Sequence, residues 1–175
     1  MKVWKFFILL GGIAGIVGFF RPFATGRVEQ ADVTVSFTAY QLVRGLDFRE
    51  LANEVKQVEH AGRTRIDADQ LAKQLEEGTP KVAGAVAILV YVPAALLALL
   101  GAIAVARGKL GRLGGLVSVL LGAISSAVWV LLDMASREAK DATVVLGIGA
   151  HLLLVAGLAG LLAGLGALVF PDRGA

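Results

Sequence analysis

The sequence predicts an all-α membrane protein: a bundle of four transmembrane helices, with a small α+β extracytoplasmic insertion between the first helix and the second. Three observations carry this expectation. Four stretches, Trp4–Phe20, Val82–Ala106, Leu113–Leu132 and Thr143–Phe170, are apolar and almost free of charge. A helix needs about 17 to 25 such residues to cross a hydrocarbon layer roughly 30 Å thick. The hydrophobic fraction is 57% and the mean hydropathy +0.75, whereas soluble domains hold roughly 45–50% apolar residues. Finally, Lys and Arg gather in the short segments beside the apolar stretches.

The first helix is expected within residues 1–20. Lys2 and Lys5 ahead of an apolar run also suit a cleaved signal peptide. However, the exit reads Phe19-Phe20-Arg21-Pro22-Phe23, with no small-x-small cleavage site. The apolar run of 17 residues, Trp4–Phe20, also exceeds the usual signal core of about 7–15. A retained span is the expectation.

Residues 21–81 form the insertion. Asp32 to Tyr40 alternates apolar and polar residues with β-branched enrichment, a half-buried strand pattern. Phe23–Glu29 is expected to pair with it, giving a strand or hairpin over 23–40. Asp47 and Glu50 have N-cap spacing, and Phe48, Leu51, Val55 and Val58 recur at helical intervals, so a helix is expected over 48–60. A second, over 67–77, places Leu71 and Leu75 on one face. So few large apolar side chains bury little core by themselves, and an isolated hairpin is marginal in water. The insertion must lean on its own parts, on the third loop, or on a partner.

The other spans are expected over 82–106, 113–133 and 143–170, and small residues recur along them in rows. Span one has Gly11, Gly15 and Gly18. Span two has Ala94, Ala98 and Ala102. Span three has Gly111 and Gly115, then Ser118, Gly122 and Ser126. Span four has Ala156, Gly160 and Gly164 beside Ala159, Ala163 and Ala167. Such rows let helix backbones approach closely, so dispersion and Cα–H contacts replace the hydrophobic effect that lipid does not supply. They serve packing within the bundle, and one of the two rows on span four is a candidate contact with another subunit. Pro93 should free a backbone carbonyl and bend span two.

Charge sets the expected orientation. Lys2 and Lys5 at the N-terminus and Arg107, Lys109 and Arg112 in the second turn have no acidic neighbour, and Arg173 stands beside Asp172 in the tail. The opposite turn balances Arg137 and Lys140 with Glu138 and Asp141, and the long loop carries nine basic and ten acidic residues. Lys and Arg in short loops resist translocation. Both termini are therefore expected to be cytoplasmic, with residues 21–81 outside. Trp4 and Trp129 suit the interfacial aromatic belt. The Ala/Gly/Leu/Val-rich, cysteine-free composition points to a bacterial inner membrane.

The residue types also restrict chemistry. Without cysteine there are no disulfides, thiolate nucleophiles, zinc–sulfur or iron–sulfur sites. No phosphate-binding glycine loop or serine–histidine–acid set is evident, so no catalytic residue, metal or cofactor is expected. His151 is the one histidine within a span, and an ionisable group there is a functional candidate. Tyr91, Ser125, Ser126 and Asp133 are its possible companions. It is either a proton-sensitive latch or ligand contact, or an interhelical hydrogen bond worth about 1 kcal/mol that sets helix rotation; the second is preferred. One ligand without motif context is a weak basis for haem or chlorin. Glu54, Glu59 and His60 read as a solvated helix end, since Glu59 and His60 are adjacent and diverge. Arg63 and Arg65 near Lys56 form a small basic patch. Arg107, Lys109 and Arg112 suit anionic headgroups, although topology alone accounts for them.

The order of short tail, span, large loop with a strand at Val33–Tyr40, and three further spans resembles the claudin-like tetraspan architecture over the whole chain. The resemblance implies topology and not cell-junction function, because the loop lacks the Trp, Gly-Leu-Trp and paired-cysteine signature of claudins. The expected function is that of a non-enzymatic structural or accessory membrane subunit. It would contact the lipid bilayer and assemble as a homo- or hetero-oligomer with other membrane proteins, without nucleic acid. The alternative is an oligomeric small-solute channel or transporter component. Envelope sensing, with output through a partner, is a third possibility.

Overall fold

The computed structural model describes residues 3–28, 33–44, 83–138 and 143–170. Helix α1 spans Trp4–Phe19, strands β1 and β2 span Pro22–Val28 and Val33–Thr38, and helix α2 spans Ala39–Arg44. Helix α3 spans Ala83–Ala106, α4 spans Arg112–Glu138, β3 spans Thr143–Leu146 and α5 spans Ile148–Val169. The described residues are mostly helical, with one small three-stranded sheet. Among them three helices are long and apolar enough to cross a membrane, over Gly84–Ala106, Arg112–Arg137 and Ile148–Val169. The fourth apolar helix, α1, has only 16 residues, about 24 Å at 1.5 Å per residue.

α1 lies between α3 and α5, and α5 in turn lies between α1 and α4; α3 meets α4 over a smaller area. Small side chains dominate the interior and most large ones face outward. Ala94, Ala150, Ala156, Ala163 and Ala167 are buried, while Leu10, Leu89, Leu113, Leu131 and Leu162 are exposed. A water-soluble bundle does the reverse; helices in lipid gain nothing by hiding leucine from an equally apolar solvent. Two interior clusters result. Ala39, Ala87, Val90, Tyr91, Ala94, Leu153 and Ala156 fill the end nearest the sheet. Ile8, Leu97, Ala104, Leu110, Ala163 and Ala167 fill the other.

The sheet has the order β2-β1-β3, antiparallel throughout. Thr25 sits opposite Ser36 on one side and Val145 on the other. The hairpin from the first loop is therefore completed by a strand from the segment before the last helix. This changes two expected boundaries. Strand β2 stops at Thr38, because Thr38 and Gln41 form a capping box. The Gln41 amide donates to Thr38 Oγ1 (3.1 Å) and the Thr38 amide to Gln41 Oε1 (2.9 Å), which starts α2 at Ala39. The last span does not begin at Thr143: the β-branched run Thr143-Val144-Val145 pairs with the open side of β1, and the helix starts at Ile148. Gly147 makes the junction. Its amide donates to Phe23 O (2.8 Å), and a Cβ there would strike Pro22 O.

At the opposite end α3, which continues through Pro93, gives way to a tight turn. Gly108 has φ 69°, the left-handed conformation that closes a helix, and its amide donates to Val105 O (3.1 Å). Lys5 Nζ donates to Gly108 O (2.9 Å). The third helix runs past its expected limit of 133 to Glu138. The expected helices over 48–60 and 67–77 lie outside the described residues, as do Lys56, Arg63, Arg65 and the Glu54, Glu59 and His60 group.

Candidate functional site

The site is built from the inward rows of the helices. On α1, Gly11 faces Ala159 and Ala156 of α5, Gly15 faces Ala94 of α3 and Ala156, and Gly18 lies against Gly149 and Leu152. On the far side of α5, a methyl group at Gly122 would stand 2.5 Å from the Leu161 nitrogen. Gly115 and Gly164 are apposed through their carbonyls, and Gly157 lies on Ser126. The two rows of α5 are divided among its neighbours: Ala156 and Ala159 meet α1, Gly160 meets Leu97 of α3 and Gly122 of α4, and Gly164 meets α4. Ala156, Gly160, Gly164, Ala163 and Ala167 are buried within the chain, and Ala159 is half-buried.

Several contacts of the same kind escaped the sequence reading. Gly12 rests on the Ala98 backbone and Gly101 on Leu9, so in α3 the approach position is Gly101, while Ala102 points outward. Gly111, placed in the span-three row by spacing, is exposed with nothing near its Cβ position. Gly12 and Gly101 carry the same signal as the chosen residues, a glycine in an apolar helix. Choosing between adjacent small residues requires the rotational phase of each helix.

Tyr91 is buried beneath the sheet and donates from its hydroxyl to Gly18 O (3.3 Å), tying α3 to the last turn of α1. Phe19 and Phe23 pack edge-on around it, with centroids at 5.4 and 6.1 Å. Phe19 and Phe20 also contact Tyr40 of α2. This aromatic plug joins the sheet, α2 and two long helices, and gives a polar hydroxyl an internal acceptor where unsatisfied groups are costly.

His151 is exposed on the first turn of α5. A carbonyl can only accept, so Nδ1–H donates to Gly147 O (2.9 Å) within its own helix, and the ring packs edge-on at 6.0 Å from Trp129. Asp133 does not meet it: its carboxylate accepts from Arg137 Nη2 (2.8 Å) one turn along α4. Tyr91 is likewise committed elsewhere. The expected companions therefore do not converge on the imidazole, because His151 points outward while the Ser118 and Ser125 row of α4 points inward.

Ser118 is buried and donates to Gly160 O (2.9 Å), an interhelical bond at the closest approach of α4 and α5. Farther along α4, Ser125 Oγ, Ser126 Oγ and Trp129 Nε1 are buried with no hydrogen-bond partner among the described residues. Among the described residues, no three His, Asp or Glu side chains gather to hold a metal ion. The arrangement is suited to holding helices at short range beneath a fixed platform of strands. No protein-family model, curated protein or solved structure matches this chain.

Proposed function

We propose that the chain is a non-enzymatic membrane subunit, structural or accessory, that presents residues 21–81 to a partner protein. The observation that supports this reading is the stitching of the sheet. One strand pair from the long loop and one strand before the last helix form a single platform, set on helices locked by glycine and alanine. A platform so anchored gives β1, β2 and α2 a fixed place at one end of the helices. In this reading all four apolar helices span, α1 being short because the aromatic plug and sheet cover its end. Both termini are cytoplasmic, the membrane is a bacterial inner membrane, and the arrangement is claudin-like. Because the small rows are used internally, the partner meets either the platform or the bulky outer faces of the helices.

Purification in mild detergent with mass measurement, preceded by cross-linking in native membrane, tests the reading. A stable complex, homo-oligomeric or with a second membrane protein, is expected. A strictly monomeric particle with no cross-linked neighbour rejects it.

The three buried polar atoms of α4 that have no partner among the described residues favour a second reading, a component of a small-solute path. Liposome flux separates the two. Leakage above empty vesicles that falls in Ser126→Leu and His151→Ala supports transport, and flux equal to empty vesicles rejects it.

A further inference from the structure

We propose that the end of the molecule opposite the sheet binds the phosphate of an anionic phospholipid, through Lys5, Arg107, Lys109 and Arg112. The inference rests on the membrane reading above. Lys5 is only 6% exposed. Its ammonium has three donors, yet among the described residues it makes one hydrogen bond, to the neutral Gly108 carbonyl at 2.9 Å, and lies 5.5 Å from the Phe6 ring centroid. No carboxylate among the described residues pairs with it. Burying a cation against neutral groups alone is unfavourable, and the described surroundings of Lys5 are neutral, so an anion at its remaining donors would offset the burial.

The turn that accepts this hydrogen bond carries the other three charges. Gly108 closes α3, and Leu110, only 3% exposed, is tucked into the interior cluster, which pins the turn from within. Arg107, Lys109 and Arg112 are all exposed, and none pairs with a carboxylate among the described residues. The Gly108 carbonyl that holds Lys5 sits between Arg107 and Lys109, so these cations share one small region. In sequence the tail adds no net charge, Asp172 standing beside Arg173. A topology signal requires only Lys and Arg in the loop; it requires neither a buried ammonium nor a pinned turn.

The flanks identify the anion as a lipid. Phe6 (48% exposed), whose ring lies 5.5 Å from Lys5 Nζ, and Leu113 (80%), next to Arg112, flank the cations and continue the apolar surface of the helices. A phospholipid meets the cations with its phosphate and these side chains with its acyl chains, whereas free phosphate matches only the first. Each Lys or Arg at an anionic headgroup plane strengthens attraction by about fivefold.

Native mass spectrometry of the full chain with equal phosphatidylglycerol and phosphatidylcholine tests the proposal. Preferential retention of phosphatidylglycerol is expected, falling about fivefold in each of Arg107→Gln and Arg112→Gln, whose exposed side chains leave the fold intact by circular dichroism. Lys5→Met should fall further and Lys5→Arg should be retained; should Lys5→Met not fold, the two exposed variants decide. Equal retention of the two lipids overturns the proposal, as does a preference that survives the combined Arg107→Gln, Lys109→Gln and Arg112→Gln variant. Inorganic phosphate raising the thermal midpoint as much as phosphatidylglycerol overturns the lipid assignment in favour of a free-anion site. Recovery of folded chain without detergent defeats the membrane reading itself, whereas an inserted chain without lipid preference defeats this inference alone.

Discussion

Along the middle of α1 and α3 the contact is made by backbone and aliphatic groups, Gly12 on Ala98, Gly15 on Ala94, and Gly101 on Leu9. Only at the sheet end does the Tyr91 hydroxyl donate to Gly18 O. Between α4 and α5 the same closeness is reached by Gly115, Gly122, Gly157 and Gly164, but serines are interleaved. Ser118 finds an acceptor across the seam, and among the described residues Ser125 and Ser126 do not. Close approach thus depends in both places on a missing Cβ, and the hydroxyls add direction only where a carbonyl is within reach. The first seam is a steric fit closed at the sheet end by the Tyr91 hydrogen bond. The second is a steric fit with the Ser118 hydrogen bond set among its glycines.

The largest expected effect comes from restoring a side chain at the steric contacts. Gly12→Val or Gly122→Val places carbon on the facing backbone, and overpacking of this kind costs about 3 kcal/mol or more. Thermal unfolding in detergent should show both variants strongly destabilised. A stable Gly12→Val protein would mean that the two seams differ in rigidity as well as chemistry.

Next is Gly147→Ala, which forces the sheet junction away from Pro22 and should cost about 2 kcal/mol. Its signature is local: faster amide exchange over Val144 to Leu146, with the α1–α3 contact unchanged. Protection that stays at the native level would show that β3 does not depend on that junction.

Ser118→Ala and Ser125→Ala sharpen the contrast within the second seam. Ser118→Ala should cost about 0.6–1 kcal/mol, the usual worth of an interhelical hydrogen bond. Ser125→Ala should be neutral or slightly stabilising, since it removes a buried hydroxyl without a partner among the described residues. Equal effects by thermal unfolding would place an unseen acceptor at Ser125.

The smallest effect is expected outside both seams. Leu162 is 67% exposed, and Leu162→Ala exchanges one lipid-facing apolar side chain for another, within about 0.5 kcal/mol. A loss of about 2 kcal/mol or more, the cost of truncating a buried leucine, would show this face covered by another subunit in the solubilised particle.

Much of the helical scaffold is legible residue by residue. Apolar runs without charge mark α3, α4 and α5, and the alternation Val33-Thr34-Val35-Ser36-Phe37 marks β2, because local periodicity and burial coincide there. Thr38-Ala39-Tyr40-Gln41 shows where legibility fails. Alternation continues smoothly into Tyr40, yet the capping box turns the chain into helix, since a side chain that satisfies a free amide outweighs a weak strand preference. Thr143-Val144-Val145-Leu146 fails for a different reason. Its composition suits a strand or the start of a span equally well, and only the open side of β1 decides between them. Asp133 lies near the end of α4 and His151 near the start of α5, but position along a helix without rotation does not say whether two side chains meet.

The order of residues alone determined that apolar helices exist, roughly how long they are, which carry rows of small side chains, and that a basic turn joins two of them. These follow from composition and short-range spacing, which act within one helix. Tertiary structure decided which row meets which neighbour, that β3 joins the sheet, that Lys5 reaches Gly108, and that His151 points outward. Each of these depends on how whole helices rotate and pack. Several glycine and alanine rows of near-equal quality leave that choice open until all the helices are placed together.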